Sequence, residues 1–286
     1  MSQVPSFITS FEKLAESYDA VLSDVWGVVH NGVVATPSAC EALTRFRDGG
    51  GTVILITNAP RPGATVVNFI DKVGVPHSAY DGIVSSGDVT RSVMQARPDK
   101  NVFHIGPERD LPIFEGLGLN FVPMEKADYV VCTGLTNDEI ETPENYRALL
   151  TDIRKRGLFL LCGNPDLVVE RGARAIDQPV ADLYGTLGGE VLYAGKPHRP
   201  IYDLALEQVA KVRGKAVPLN RVLAIGDSIR TDLKGAIGHG LDCLFVTAGI
   251  HAEELGDRHA PDAQALRKMF ADAGVAPKAV TPRLAW

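Results

Sequence analysis

Cysteine is scarce in this 286-residue chain, and what there is lies scattered. Cys40, Cys132, Cys162 and Cys243 form no C-x-x-C pair, which argues against a thiolate metal centre and against a disulfide framework. They read as small buried hydrophobes in a reducing compartment. Long apolar runs are missing too, so nothing in the sequence is expected to span a bilayer. The opening stretch MSQVPSFITSFEKLAESYDA lacks a basic region followed by an apolar one and is not read as a signal peptide. There is no basic tract. With 29 basic and 35 acidic residues the formal net charge is −6, a poor basis for holding a nucleic-acid backbone, which needs clustered Lys and Arg. A small phosphorylated ligand stays open, because one or two local positive charges suffice for it. Internal repeats and low-complexity segments are also absent. The expectation is a cytoplasmic protein without membrane or nucleic-acid partners.

What is present is ordinary globular material. Hydrophobic residues make up 45% and charged residues 22%, too apolar for a disordered chain. The length suggests about two domains. Thr9-Ser10-Phe11-Glu12 reads as a capping box that opens a short helix. Short apolar runs at Ala20–Val25, Val53–Ile56 and Ile83–Val84 read as buried strands. Between them, Thr36-Pro37 starts a helix that Gly49 stops, and Val66, Phe69, Ile70 and Val73 share one face of another. From about residue 86 to 189 the chain has its own alternation. Its strands are Val102–Ile105, Tyr129–Cys132 and Leu158–Cys162, and a helix opens at Pro143 with Tyr146, Leu149, Leu150 and Ile153 on one face. The first pattern then resumes, with a helix near Pro200, strands at Val222–Ile225 and Cys243–Val246, and a last helix carrying Leu266, Met269 and Phe270. Strands alternating with helices predict an α/β fold built on a parallel sheet.

Asp24, Thr57-Asn58 and Asp227-Ser228 each sit at or just past the C-terminal end of a predicted strand. In an open α/β sheet those ends line the ligand crevice, so residues far apart in sequence are expected to converge. Each alone is a common loop or N-cap residue. All of them at strand ends together are not so easily explained.

The order Asp24-Val25-Trp26-Gly27-Val28, Leu55-Ile56-Thr57-Asn58, Gly195-Lys196-Pro197 and Ile225-Gly226-Asp227-Ser228-x-x-Thr231-Asp232 resembles the four motifs of the haloacid dehalogenase superfamily. The long gap between the second and third motifs, the Gly163-Asn164-Pro165-Asp166 string, and the stretches Val102–Gly106 and Tyr129–Leu135 resemble its class IIA branch. That branch holds NagD-like, p-nitrophenyl and phosphoglycolate phosphatases. The resemblance implies a Rossmann-like core, 1–85 and 190–286, with an α/β cap inserted over 86–189. It implies a phosphatase acting on a small phosphorylated metabolite, of sugar-phosphate or phosphoglycolate type, through an aspartyl-phosphate on Asp24. Phosphoryl transfer needs an in-line nucleophile, charge neutralisation and positioning. In the implied site Mg²⁺ is held by Asp24, the main-chain carbonyl of Trp26 and Asp227, with Asp232 in support. Lys196 neutralises the phosphoryl oxygens. Thr57 and Asn58 position the phosphate or the nucleophile.

One position departs from the family pattern. Two residues after the nucleophile most of these phosphatases carry a second Asp, which protonates the leaving oxygen and then activates water. Here it is Trp26. An indole N–H donates a hydrogen bond but is no acid or base near neutral pH. The expectation is a slow phosphatase that favours good leaving groups, or an acid/base drawn from elsewhere. His30 is the nearest substitute, set against a plain turn histidine, and His198 follows the Lys196-Pro197 pair. Arg171 and Arg174 are candidates for meeting an anionic substrate tail, set against solvated surface arginines. Two other readings stand beside the phosphatase. One is a degenerate protein that binds a phosphorylated ligand or acts in regulation. The other is dehalogenase chemistry, which Trp26 favours and Asp227 with Asp232 oppose. The resemblance also implies a homodimer formed through the caps.

Overall fold

The computed structural model describes residues 5–166, 179–257 and 260–286. The chain falls into two compact units. The first comprises residues 1–57, 67–84 and 202–286; the second comprises 58–66 and 85–201.

The first unit is built on a seven-stranded sheet. Its N-terminal strands are β1 (Ser6–Phe7), β2 (Ala20–Asp24), β3 (Thr52–Thr57) and β4 (Gly82–Ser85). The second unit contributes its own five strands: β5 (Asn101–Ile105), β6 (Asn120–Phe121), β7 (Tyr129–Cys132), β8 (Leu160–Cys162) and β9 (Val191–Tyr193). The chain then returns to the first sheet with β10 (Val222–Gly226), β11 (Asp242–Val246) and β12 (Ala279–Thr281). The first sheet runs β1-β12-β11-β10-β2-β3-β4. From β2 the chain steps outward to β3 on one side and returns to β10 on the other. That junction, β2 against β10, is the topological switch point where an open α/β sheet offers a crevice. The pairing there is parallel, with Ser23 opposite Ile225. Every residue of β2 and β10 is buried, as continuous apolar runs must be when helices cover both faces. The second sheet runs β6-β5-β7-β8-β9 with parallel pairings, and Tyr146, Leu150, Ile153, Leu183 and Tyr184 pack in its core.

The helices follow ordinary local rules. The helices begin with α1 (Glu12–Ala15), α2 (Pro37–Asp48) and α3 (Gly63–Lys72). In α2 proline sits at the first turn, where its missing N–H costs nothing. The expected capping box before α1 does not form. The helix starts at Glu12, whose N–H is accepted by the Ser10 hydroxyl at 3.2 Å. Phe11, buried between Phe46 and Trp286, anchors that start instead. A genuine capping box opens α4 (Ser86–Ala96): the Ser85 hydroxyl accepts the Asp88 N–H, and the Asp88 carboxylate accepts the Ser85 N–H. Apolar periodicity does not reveal this helix in the sequence, because its first turn is Ser-Gly-Asp.

The expected cap, 86–189, lies inside the second unit, which also takes in Asn58–Val66 and residues 190–201. The C-terminal extension has a direct cause. Val191–Tyr193 is a strand of the second sheet, paired with Leu160–Cys162. Among the described residues no helix is long and apolar enough to cross a membrane.

Leu22 is fully buried in the central strand of the first sheet, whereas Val33 is 81% exposed. Leu22→Ala should therefore cost about 2–5 kcal/mol through lost burial and a cavity, and Val33→Ala within about 0.5 kcal/mol of nothing. Denaturant unfolding of both variants beside the parent checks this; equal losses would show that β2 is not the core strand described.

Candidate active site

Asp24 is the last residue of β2 and Asp227 follows β10 directly. Because the two strands are paired neighbours, the register carries both carboxylates to the same edge of the sheet. Asp232 comes from a π-helical turn, Ile229–Leu233, that opens beyond Ser228. The Ser228 hydroxyl accepts the Thr231 N–H at 3.2 Å, and the Ser228 N–H reaches Asp232 Oδ2 at 3.1 Å, so this turn holds Asp232 against the strand end. All three carboxylates are buried, and each places an oxygen within 4.8 Å of the others. Thr57 ends β3 one residue past the Asp24–Ile56 pairing, half-buried beside the same edge.

Main-chain donors orient the carboxylates. Asp24 Oδ1 accepts the Val25 N–H at 2.7 Å, and Asp227 Oδ2 accepts the Ile250 N–H at 2.7 Å. Two glycines make room for Asp227. A Cβ added at Gly27 or at Gly249 would come within 1.9 Å of Asp227 Oδ2, and Gly27 also has φ +83°, a conformation glycine adopts without strain. A third glycine, Gly226, leaves room for Asp232, whose carboxyl carbon would lie 2.2 Å from an added Cβ.

Three buried carboxylates this close repel one another strongly unless a cation lies among them or protons neutralise them. An all-oxygen donor set suits a hard divalent ion such as Mg²⁺, which is held by a few carboxylates and keeps several waters. The residues present therefore fit the ion that the motifs imply.

The turn after β2 folds back on itself: the N–H groups of Val29 and His30 reach the Val25 carbonyl, and the Gly27 N–H reaches the His30 carbonyl. Trp26 is 45% exposed there. His30 is buried, its ring meets Phe69 edge-on at 5.5 Å, and its Nδ1 accepts the Gly32 N–H at 2.8 Å. Burial pulls its pKa from the usual histidine value down to about 4. Its contacts are those of a residue that shapes the turn.

The second unit assembles a separate cluster. Lys196 is 2% exposed, an unusual depth for a lysine. Its main chain is held from both sides by Asn58: the Lys196 N–H donates to Asn58 Oδ1 at 2.7 Å, and Asn58 Nδ2 donates to the Lys196 carbonyl at 3.0 Å. Asn58 Nδ2 also reaches Asp166 Oδ1 at 2.7 Å. The Ser86 hydroxyl contacts the carbonyls of Asn58 and Gly163 at 2.8 and 2.6 Å. Beyond Lys196, His198 stacks on Tyr193 with ring centroids 4.2 Å apart, and the Tyr193 hydroxyl donates to Asp182. Neither Asp166 nor Ser86 carries a catalytic signal in the sequence. Asp166 opens the segment to Gly189 that the sequence marks as a wall for the substrate, without a catalytic role, and a serine opening a helix carries no signal of its own. Arg171 and Arg174 lie outside the described residues.

Comparison with known proteins agrees with the motif order. A haloacid dehalogenase-like hydrolase model matches residues 21–120, and a HAD-hydrolase-like model matches residues 193–273. A solved structure from Brucella suis 1330, a hydrolase of the haloacid dehalogenase-like family, is 45% identical, with a TM-score of 0.83, over 98% of this chain and 100% of that one. This chain belongs to the haloacid dehalogenase-like hydrolases. Among curated relatives, the 5'-nucleotidase YutF of Bacillus subtilis (strain 168) is 27% identical over 84% of this chain and 91% of its own length. The ribonucleotide monophosphatase NagD of Escherichia coli (strain K12) is 24% identical over 80% and 88%.

The buried neutral His30 sets an acid limit. An unfolded chain takes up a proton at this residue below about pH 6.5, while the native state resists until about pH 4. The unfolded form thus binds more protons in that window, and stability falls as pH drops through it, by roughly 3 kcal/mol at the most. Urea unfolding at pH 7 and pH 4.5 should show a smaller acid loss in His30→Asn than in the parent; identical losses would place the acid sensitivity elsewhere.

Proposed function

We propose that this hydrolase is a Mg²⁺-dependent phosphatase of small phosphorylated metabolites, with Asp24 as nucleophile. The observation that supports it most is the cluster of Asp24, Asp227 and Asp232 at the switch point of the first sheet. In this reading the Asp24 carboxylate attacks phosphorus in line with the departing oxygen. An aspartyl-phosphate forms, and water then releases inorganic phosphate and restores the carboxylate. Asp24, Asp227, Asp232 and the Trp26 main-chain carbonyl would hold Mg²⁺, which when bound offsets the charge of the crowded oxygens. The Thr57 hydroxyl donates to a phosphoryl oxygen, and the Lys196 ammonium neutralises phosphoryl charge. His198, stacked on Tyr193, lies beside that lysine in sequence. Arg171 and Arg174 are candidates to meet an anionic tail of the substrate. Function in the cytoplasm and pairing of two chains through their caps belong to the same reading.

Trp26 bears on rate and selectivity. Its indole gives the leaving oxygen no proton, and general acid–base help is worth about 10²–10⁴ in rate. His30 is a weak substitute, since its Nδ1 already accepts from Gly32 and it is neutral near pH 7. Phosphates with good leaving groups are therefore the fast substrates. Dehalogenation calls for no cation, and three buried carboxylates speak against it.

The decisive experiment is p-nitrophenyl phosphate turnover by the parent and by Asp24→Asn. Turnover should require Mg²⁺, vanish with EDTA, and fall to background in Asp24→Asn. Full activity in that variant would falsify the nucleophile assignment, and 2-haloacid turnover that survives EDTA would favour the dehalogenase. In addition, rates across a series of aryl and alkyl phosphates should fall steeply as the leaving group becomes more basic. Trp26→Asp should flatten that dependence and raise alkyl phosphate turnover about 10²-fold or more. A flat series in the parent would mean that another group supplies the proton.

A further inference from the structure

Asn58 follows Thr57 directly, yet its side chain is turned to a different task. It is 5% exposed and makes both main-chain hydrogen bonds at Lys196, one accepted and one donated, an arrangement like one rung of a sheet supplied by a side-chain amide. Only an amide offers an acceptor and donors in one plane at that separation. Its second amide hydrogen is directed to Asp166 Oδ1, so the Asn58 side chain has little left to offer a ligand. The loop is fitted around it. A Cβ on Gly195 would lie 2.4 Å from Asn58 Oδ1 and 2.8 Å from the Pro165 ring, so only glycine lets the chain pass. The Ser86 hydroxyl holds the Asn58 carbonyl at 2.8 Å, which fixes the base of the clamp to the start of α4. These contacts meet at the one lysine in the described residues that is buried. A buried ammonium on a four-carbon stem has high rotamer entropy, and its aim depends on how firmly its backbone is held.

We propose that Asn58 is a positioning residue whose amide, tied to Asp166, fixes the main chain of Lys196 and so aims the lysine ammonium at the transferred phosphoryl group. This rests on the phosphatase reading given above. It differs from the role the motif order suggested for Asn58, positioning the phosphate or the nucleophile, because it predicts that Asn58 matters only when Lys196 is present.

A double-mutant cycle on the full chain with Mg²⁺ and p-nitrophenyl phosphate tests this. Lys196→Ala should lower kcat/KM by about 10²-fold or more. Asn58→Ala should lower it about 10- to 100-fold, as expected for a displaced charge. The double variant should be no slower than Lys196→Ala within about threefold, because the clamp then has nothing to aim. A side chain that merely supported the fold, or touched phosphate itself, would give losses that multiply, and multiplied losses overturn the proposal. So would a Lys196→Ala enzyme of unchanged activity. Asn58→Ser, small, uncharged and too short to span the Lys196 N–H and carbonyl together, replaces Asn58→Ala in the cycle if the alanine variant does not fold, with the same two outcomes. Asp24→Asn separates the two levels. If that variant stays active the reading of Asp24 as nucleophile fails, whereas an inactive Asp24→Asn with multiplied losses in the cycle removes the clamp alone.

Discussion

The parallel pairing of β2 with β10 is the contact on which the candidate site depends. It places Ser23 opposite Ile225, and so brings Asp24 and Asp227 from distant parts of the sequence to one strand edge. A slip of one residue would turn every side chain of the strand to the opposite face and scatter the carboxylates. The strand interior guards against this: β2 and β10 are buried throughout, so a one-residue slip would drive Ser23 into the buried position that Leu22 now fills and Asp24 into that of Ser23. The same apolar packing that stabilises the sheet therefore sets the spacing of the acid groups.

Close packing around those acids is as much a matter of absent atoms as of present ones. Gly27, Gly226 and Gly249 surround Asp227 and Asp232 so tightly that a methyl at any of them would overlap a carboxylate. Main-chain N–H groups from Val25, Ser228 and Ile250 then fix the orientation of each acid. Oxygens held in this way need little reorganisation to take a hard cation, and pre-organisation of this kind is where such sites derive much of their effect. The second unit uses a comparable economy, with one amide and one glycine setting the path of the chain through Lys196.

Much of this was legible in the sequence. The strands at 20–25, 53–56, 102–105, 129–132, 222–225 and 243–246 are short apolar runs ended by polar residues, and they lie where the structure has strands. Residues missed by pattern have physical reasons. Strands β1, β6, β9 and β12 span two or three residues, too short to show a period. Helix α4 begins in Ser-Gly-Asp, so its apolar face emerges late. The capping box expected at Thr9 gave way to the burial of Phe11, a tertiary contact that local propensity does not encode.

The sequence by itself determined the class of fold, the family and the identity of the acids, because strand periodicity and motif order are properties of the chain. It also placed a tryptophan where an acid is usual, a fact no geometry alters. Only tertiary structure decided what each residue touches. From its place after Thr57, Asn58 reads as positioning the phosphate or the nucleophile; its hydrogen bonds go to Lys196 and Asp166, residues more than a hundred positions away. His30 reads in the sequence either as a spare acid/base or as a plain turn histidine; burial lowers its pKa and its Nδ1 accepts the Gly32 N–H within the turn. Spacing in sequence gives periodicity; the partner of a buried polar group is set by which strands and loops pack together.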